Sequence, residues 1–353
     1  MNTPIYTTNA IQDWEGRWFA DGNSSFGLMK QASLRLCLQI IDFINKNDIT
    51  QTDIIVWCGV GNNGGDGYLT AKYLTNRLDD KHFKVQIIAP NPPKSINAIH
   101  AKSLCTNMHI CDNVGNITRA FEKVIHLDAL FGHGLDRELD KSHQNTIHTF
   151  NAQAGTKIAL DIPSGLHPNR GMPMPICTKV DMTLCVMGLK MGLFVGVAKD
   201  FVGKVINLPL IPPDDELLAV AYLSDKPTIP IRQNTAHKGD FGTVAIVGGH
   251  QCMGGAVIMA SQMAMSMGAG RVTAVCHAMH HGAMLTRSPN VMVADIDKIS
   301  ANDLSEFERV AFGMGLGRDT WAKMIFDRVM DKVIHHALGK VVLDADALCF
   351  LAR

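Results

Sequence analysis

Short apolar segments alternate with helical stretches along most of this 353-residue chain. In the N-terminal part these segments span 54–58, 85–89, 124–127, 157–160, 182–186 and 204–207. Most of them are apolar along their whole length, so strands formed by them must be covered on both faces. The alternation predicts an α/β fold with a mostly parallel sheet, preceded by helical residues from about 8 to 45.

A cluster of prolines divides this pattern in two. The prolines are Pro209, Pro212, Pro213, Pro227 and Pro230. Because prolines interrupt both helices and strands, we expect a linker over 211–233. A second α/β pattern follows it, with strands at 243–247, 272–276, 310–312 and 341–343 and helices at 254–268 and 319–335. The sequence therefore predicts two domains, 1–210 and 234–353.

The composition excludes several classes of protein. The formal net charge is +0 and no basic stretch stands out, which argues against a nucleic-acid partner. No apolar run reaches the ~20 residues of a membrane span, and no secretory signal is evident. The 9 cysteines are scattered and form no CxxC pair, which is typical of reduced thiols. We expect a cytoplasmic protein without a nucleic-acid or membrane partner.

A glycine-rich segment, 58–67, follows the first strand and precedes a helix expected at 68–78. Gly59, Gly61 and Gly64 match G-x-G-x-x-G, a pattern that places backbone amides at a helix N-terminus around phosphate. A dinucleotide dehydrogenase would also carry an acid at the end of the next strand, and residues 84–90 do not. The alternative is a glycine turn that only joins strand to helix.

Polar residues also follow three later strands, in segments 127–137, 160–166 and 187–193. The carboxyl ends of parallel strands lie along one edge of a sheet, so these side chains are expected to converge. The converging set is Asn62, Asn63, Asp66, Asp128, Asp161, Ser164 and Lys190. Its oxygens suit a hard cation, and Asp161 with Lys190 forms a candidate acid–base pair. The structural alternatives are turn or cap roles for the aspartates and a surface position for Lys190.

Together these motifs resemble a known family. Segments 62–67, 128–132, 161–165 and 189–193, with 27–32 before them, are similar to NAD(P)H-hydrate epimerases. Segments 237–242, 247–249, 254–256, 313–317 and 344–348 are similar to ADP-dependent NAD(P)H-hydrate dehydratases. The order of the two domains is that of the bifunctional NAD(P)H-hydrate repair enzymes. The resemblance implies a Rossmann-like three-layer sandwich followed by a ribokinase-like α/β domain.

The resemblance also implies an activity and its residues. The first domain would interconvert the R and S epimers of hydrated NAD(P)H, called NAD(P)HX, and the second would dehydrate the S epimer. The substrate would be bound by Asn62, Asn63, Gly64, Gly65, Asp66, Gly132, His133, Gly134, Leu135, Asp136, Arg137, Glu138, Asp161, Ala256 and Gly315. A potassium ion would be held by Asn63, Asp128 and Ser164, and catalysis would fall to Asp161 and Lys190. A homo-oligomer is compatible with the resemblance.

Three departures from the family qualify this expectation. His133 replaces the usual Thr, and Met314 replaces the usual Pro of a glycine loop. The family's His-Pro-Gly-Glu segment and its glycine-rich loop with a catalytic Asp are not found. We therefore expect a partial ribokinase-like domain without dehydratase activity. ADP and Mg²⁺ would be cofactors only of a complete dehydratase domain. A non-catalytic Rossmann-like binding or scaffold module is the alternative function.

Overall fold

The structure is a computed structural model that describes residues 3–134, 138–225, 228–229, 231–335, 338 and 340–352. The chain divides into two compact units, Met1–Asp225 and Lys226–Arg353. Leu135, Asp136 and Arg137, predicted to bind substrate, lie outside the described residues.

The first unit is built on a seven-stranded parallel sheet with strand order β4-β3-β2-β5-β6-β7-β9. The strands of the whole first unit are β1 (Thr3–Tyr6), β2 (Thr52–Cys58), β3 (Phe83–Ile88), β4 (Ile110–Cys111), β5 (Val124–Ala129), β6 (Thr156–Leu160), β7 (Met182–Val186), β8 (Leu189–Lys190), β9 (Lys204–Leu208) and β10 (Ala221–Leu223). Its helices are α1 (Thr8–Ala20), α2 (Ser25–Lys46), α3 (Asn62–Thr75), α4 (Ile96–Ser103) and α5 (Lys141–Ala152). The predicted α/β class and parallel sheet are confirmed.

The predicted N-terminal helical region consists of two helices. Ser24 begins the second one, and its hydroxyl accepts a hydrogen bond from the amide of Gly27. The buried residues of α2 recur at helical spacing, with Leu36, Ile40 and Ile44 at four-residue intervals. These residues belong to the same apolar core as the central strands β2 and β5, so α2 covers one face of the sheet.

A second, three-stranded sheet with order β10-β1-β8 was not predicted. Strand β1 pairs antiparallel with β10 and parallel with β8, where Tyr6 lies opposite Lys190. Residues 221–223 of the predicted linker thus join the first unit. The strands contain two to four residues each, too few for a periodic pattern to indicate them.

The second unit has a five-stranded parallel sheet with order β13-β12-β11-β14-β15. Its strands are β11 (Thr243–Gly248), β12 (Arg271–Cys276), β13 (Met292–Asp295), β14 (Arg309–Met314) and β15 (Lys340–Leu343). Its helices are α6 (Gly254–Ser266), α7 (His281–Arg287), α8 (Ala301–Leu304), α9 (Thr320–Ile334) and α10 (Asp346–Leu351). All four strands and both helices expected here are present, and β13 adds an edge strand.

No helix among the described residues is long and apolar enough to cross a membrane. All nine cysteines are free thiols.

Candidate active site

The first unit contains a cavity of about 550 Å³ at the carboxyl edge of its large sheet. Strands β2 and β5 are neighbours, but the chain continues from β2 to β3 on one side and from β5 to β6 on the other, so the loops beyond β2 and β5 diverge. The cavity opens at that point. Seven of the predicted site residues line it: Asn62, Asn63, Asp66, Gly132, His133, Gly134 and Asp161.

Two glycines bring the walls of this cavity together. A Cβ atom on Gly59 would lie 1.7 Å from the carbonyl oxygen of Leu130, and one on Gly64 would lie 2.0 Å from the carbonyl oxygen of Gly59. Only glycine permits these approaches. The glycine pattern therefore reflects close packing of β2, α3 and the loop after β5.

Helix α3 begins at Asn62, not at residue 68 as predicted. Glycines lower helix propensity, which explains the misplaced start; here close packing overrides propensity. Gly61 is the N-cap and provides no side-chain hydrogen bond, so the amides of the first turn stay open. Asn62 and Asn63 thus lie in an uncapped first turn that faces the cavity and attracts anions.

The structure brings Asp161 and Lys190 into direct contact below the cavity. Lys190 is fully buried; its Nζ contacts Oδ1 of Asp161 and donates a hydrogen bond to the carbonyl oxygen of Val186 at 2.7 Å. Oδ2 of Asp161 lies 2.8 Å from Nδ1 of His133. Asp161 also has a positive φ of 76°, a backbone conformation common at functional sites.

These contacts determine the charges of the pair. Burial alone would raise the pKa of Asp161, but the Lys190 ammonium and the His133 imidazole outweigh it and hold that pKa well below its usual range. Burial would likewise lower the pKa of Lys190, yet the Asp161 carboxylate raises it above its usual value. Both groups are therefore charged at neutral pH, and Asp161 is a weak base.

Two other carboxyl groups line the cavity and differ from Asp161. Burial raises the pKa of Asp66 well above its usual range, and the nearby carboxyls of Asp161 and Glu15 add to this effect. Burial also raises the pKa of Glu15, against the opposing effects of His133 and Lys190. Sequence reasoning missed Glu15, which lies on α1. It shares one helical face with Gln12 and Phe19, which also line the cavity, and that spacing was the available signal.

Asp128, Ser164 and Asn63, the expected potassium ligands, lie around the loop after β5. Asp128 is completely buried and accepts hydrogen bonds from the backbone and hydroxyl of Ser164 at 2.8 and 2.5 Å. Among the described residues no cation lies within ion-pair distance of it. Both side-chain polar atoms of Asn63 are buried without a hydrogen-bond partner in that part of the chain. Asp128 also accepts hydrogen bonds from the hydroxyl of Thr178 and the amide of Leu130, so its carboxylate is satisfied within the protein. The unpartnered amide oxygen of Asn63 is the group here that fits a cation.

The remaining predicted residues have other positions. Gly64 and Gly65 do not line the cavity, and Gly65 packs against Met29 and Ala98. Glu138 is exposed and does not line the cavity either. In the second unit, Ala256 and Gly315 adjoin each other, since a Cβ on Gly315 would lie 3.2 Å from that of Ala256. They lie at the carboxyl edge of the second sheet, on α6 and directly after β14.

Comparison with known proteins agrees with this division. Residues 25–192 match a family model described as YjeF-related protein N-terminus, and residues 244–353 match one described as NAD(P)H-hydrate dehydratase. The second unit therefore holds a dehydratase-type domain, and the expected loss of its activity finds no support in these matches.

Similar proteins match this chain across both units. A bifunctional NAD(P)H-hydrate repair enzyme of Leishmania braziliensis is 27% identical, with 96% of this chain and 65% of the relative covered. One of Coxiella burnetii is 29% identical, with 99% and 72% covered. A Bacillus subtilis ADP/ATP-dependent NAD(P)H-hydrate dehydratase, co-crystallized with ATP/Mg²⁺, is 23% identical over 34% of this chain and 43% of that chain, with a TM-score of 0.29. The chain spans about two thirds of the length of these curated relatives. Across both of its units the chain is similar to the bifunctional NAD(P)H-hydrate repair enzymes.

Proposed function

We propose that the first unit interconverts the R and S epimers of NAD(P)HX. The observation that carries this proposal is the cavity in which an uncapped helix N-terminus and Asp161, paired with the buried Lys190, face one ligand space. The dinucleotide supplies a diphosphate for the open amides of α3 and a hydrated ring for the ion pair. A pure scaffold would need neither group buried at considerable desolvation cost.

The chemistry of the substrate indicates what the site must do. Water adds to the enamine double bond of NAD(P)H so that the hydroxyl group lies on the carbon next to the ring nitrogen. When that hydroxyl leaves as water, the nitrogen lone pair forms a planar cation, and water can return to either face. Asp161 is kept ionised by Lys190, so we assign it to stabilising this positive charge and Lys190 to holding the carboxylate in place.

We further propose that Asn63, Asp128 and Ser164 hold a potassium ion. Its support is the buried amide oxygen of Asn63, which has no hydrogen-bond partner in the described part of the chain. A bound cation would compensate the charge of Asp128. The first turn of α3 would then be fixed through Asn63.

For the second unit we propose dehydration of NAD(P)HX with ADP and Mg²⁺, at a site that includes Ala256 and Gly315. The match of residues 244–353 and the contact between these two residues support it.

The experiment separates the two activities. Purified protein is mixed with one isolated epimer of NADHX, and the appearance of the other is followed by chromatography. We expect equilibration faster than in buffer alone; a rate equal to the spontaneous one, with folded protein, would refute the epimerase assignment. ADP and Mg²⁺ are then added and NADH absorbance is followed, which tests the second unit independently.

A further inference from the structure

Helix α1 completes the cavity of the first unit although it precedes the residues matched by the family model. Its position is fixed at both ends. The amide of Thr8 donates to Oδ1 of Asn169 at 2.9 Å, and the guanidinium of Arg17 makes two 2.8 Å hydrogen bonds to the carboxylate of Asp214. Trp14 is buried between them. The inner face of this helix is therefore held rigidly against the cavity.

Glu15 is the one acidic residue of α1 that lines the cavity. Its carboxyl group makes no hydrogen bond or ion pair with any other residue in the described ranges, whereas Asp161 is held by both His133 and Lys190. A half-buried carboxyl group without a partner, directed into a ligand cavity, is free to exchange a proton with what binds there.

We propose that Glu15 is the catalytic acid–base residue of the first unit, which donates a proton to the departing hydroxyl group of NAD(P)HX. The proposal rests on the epimerase function proposed above. It separates two roles: Asp161 stabilises positive charge as a permanent anion, and Glu15 carries the proton.

The step is balanced in atoms and charge. Protonated Glu15 gives its proton to the hydroxyl oxygen, the carbon–oxygen bond breaks, and water leaves with the bonding electron pair. The ring nitrogen supplies its lone pair to form the carbon–nitrogen double bond of the cation. A water molecule adds to the other face of the ring, and the proton it releases returns to Glu15 directly or through a second water of the cavity.

The charged groups around Glu15 suit this role. His133 and Lys190 favour its ionised form, whereas Asp161 and burial favour its protonated form. Asp66, on α3, is the other carboxyl group that faces it. Because burial has the largest effect, the pKa of Glu15 is raised above its usual value, which favours the protonated form that can donate a proton.

The test compares Glu15→Gln with a matched control on the same helix. Asp13→Asn also replaces an acid by its amide on α1, but Asp13 is exposed and does not line the cavity. We expect Glu15→Gln to lower kcat for epimerisation by about 10²–10⁴-fold with little change in KM, and Asp13→Asn to behave as the wild type. The wild-type kcat should fall as pH rises and Glu15 loses its proton, and Glu15→Gln should lack this pH dependence.

The outcomes distinguish the proposal from the function on which it rests. If the wild type is no faster than buffer, the epimerase assignment fails. If the wild type is active and Glu15→Gln keeps both its kcat and its pH profile, Glu15 is not the acid. If Asp66→Asn alone removes the pH dependence, Asp66 carries the proton and the proposal is wrong. Should Glu15→Gln melt below the wild type, Glu15→Asp and Glu15→Ala with added formate are assayed. Turnover above that of Glu15→Gln in either supports the proposal, and no gain in both overturns it.

Discussion

Replacing Lys190 by methionine should strongly destabilise the first unit. Methionine has a similar length but no charge, so the carboxylate of Asp161 would stay buried without its main cation. The exposed fractions are 0% for Lys190 and 3% for Asp161, so water cannot compensate the lost partner. Removing one member of a buried ion pair typically costs about 3–5 kcal/mol. The carbonyl oxygen of Val186 would also lose its hydrogen bond from Nζ. We expect the free energy of unfolding to fall by an amount near the lower end of that range, because the contact between Asp161 and His133 remains.

The matched control is the double variant Lys190→Met/Asp161→Asn. It removes both charges, so it should recover a large part of the loss, and the difference between the variants gives the coupling energy of the pair. Stability would be measured by urea unfolding with tryptophan fluorescence, since Trp14, Trp18 and Trp57 all lie in the first unit. An Lys190→Met protein within about 1 kcal/mol of the wild type, or a double variant as unstable as the single one, would refute a buried, mutually dependent ion pair.

The pH dependence provides a second check with a definite sign. In the wild type the pKa of Asp161 is lowered, so its stabilising contribution is present above its unfolded value of about 3.9 and is lost as pH falls. Without Lys190, burial dominates and raises that pKa. The Lys190→Met variant should therefore lose less stability than the wild type as pH falls through about 4, because protonation removes the uncompensated charge.

Three further predictions concern the same unit. Asp161→Asn should lower kcat for epimerisation by about 10²–10³-fold with a much smaller change in KM, because the amide cannot stabilise the cation; a variant with normal kcat would remove Asp161 from charge stabilisation. Asp128→Ala should abolish the difference in melting temperature between KCl and NaCl, and persistence of that difference would exclude Asp128 from the cation site. Burial lowers the pKa of His126 from 6.5 to about 4, and its Nδ1 lies 3.2 Å from Nε1 of Trp57, from which it accepts a hydrogen bond as the neutral ring. The free energy of unfolding should therefore be highest above pH 6.5 and fall by up to about 3 kcal/mol as pH falls to 4. In urea unfolding the His126→Gln variant should lose less stability over this range, and an equal loss in both proteins would contradict the assignment.

The large sheets could be predicted from the sequence because their strands are apolar on both faces. Strand β2 is buried at every position, which leaves little alternative to a covered parallel strand. The small sheet could not be predicted, since β1, β8 and β10 are short and their pairing joins residues far apart in the chain. Yet β8 contains Lys190, so an element without a local signal holds one residue of the predicted acid–base pair.

The candidate site was predictable to the extent that it follows strand ends. Asp161 and Lys190 converge because β6 and β7 are parallel neighbours whose carboxyl ends meet at one edge. Glu15 does not lie at the end of a strand; it reaches the cavity because α1 is held by contacts to Asn169 and Asp214, both distant in sequence. Such contacts depend on tertiary packing, which a periodic pattern in one helix does not specify.

Three carboxyl groups line one cavity, and they differ in charge because only one of them contacts Lys190. Asp161 contacts Lys190 and is held ionised, whereas Glu15 and Asp66 line the same space without an ion pair to a described residue, and burial raises their pKa values. Two carboxyls of raised pKa beside a fixed anion provide a proton donor and a stabiliser of positive charge within one site. Lys190 therefore determines which carboxyl can donate a proton. Its loss would raise the pKa of Asp161 toward those of the other two, so the Lys190→Met variant should lose charge stabilisation even where it remains folded.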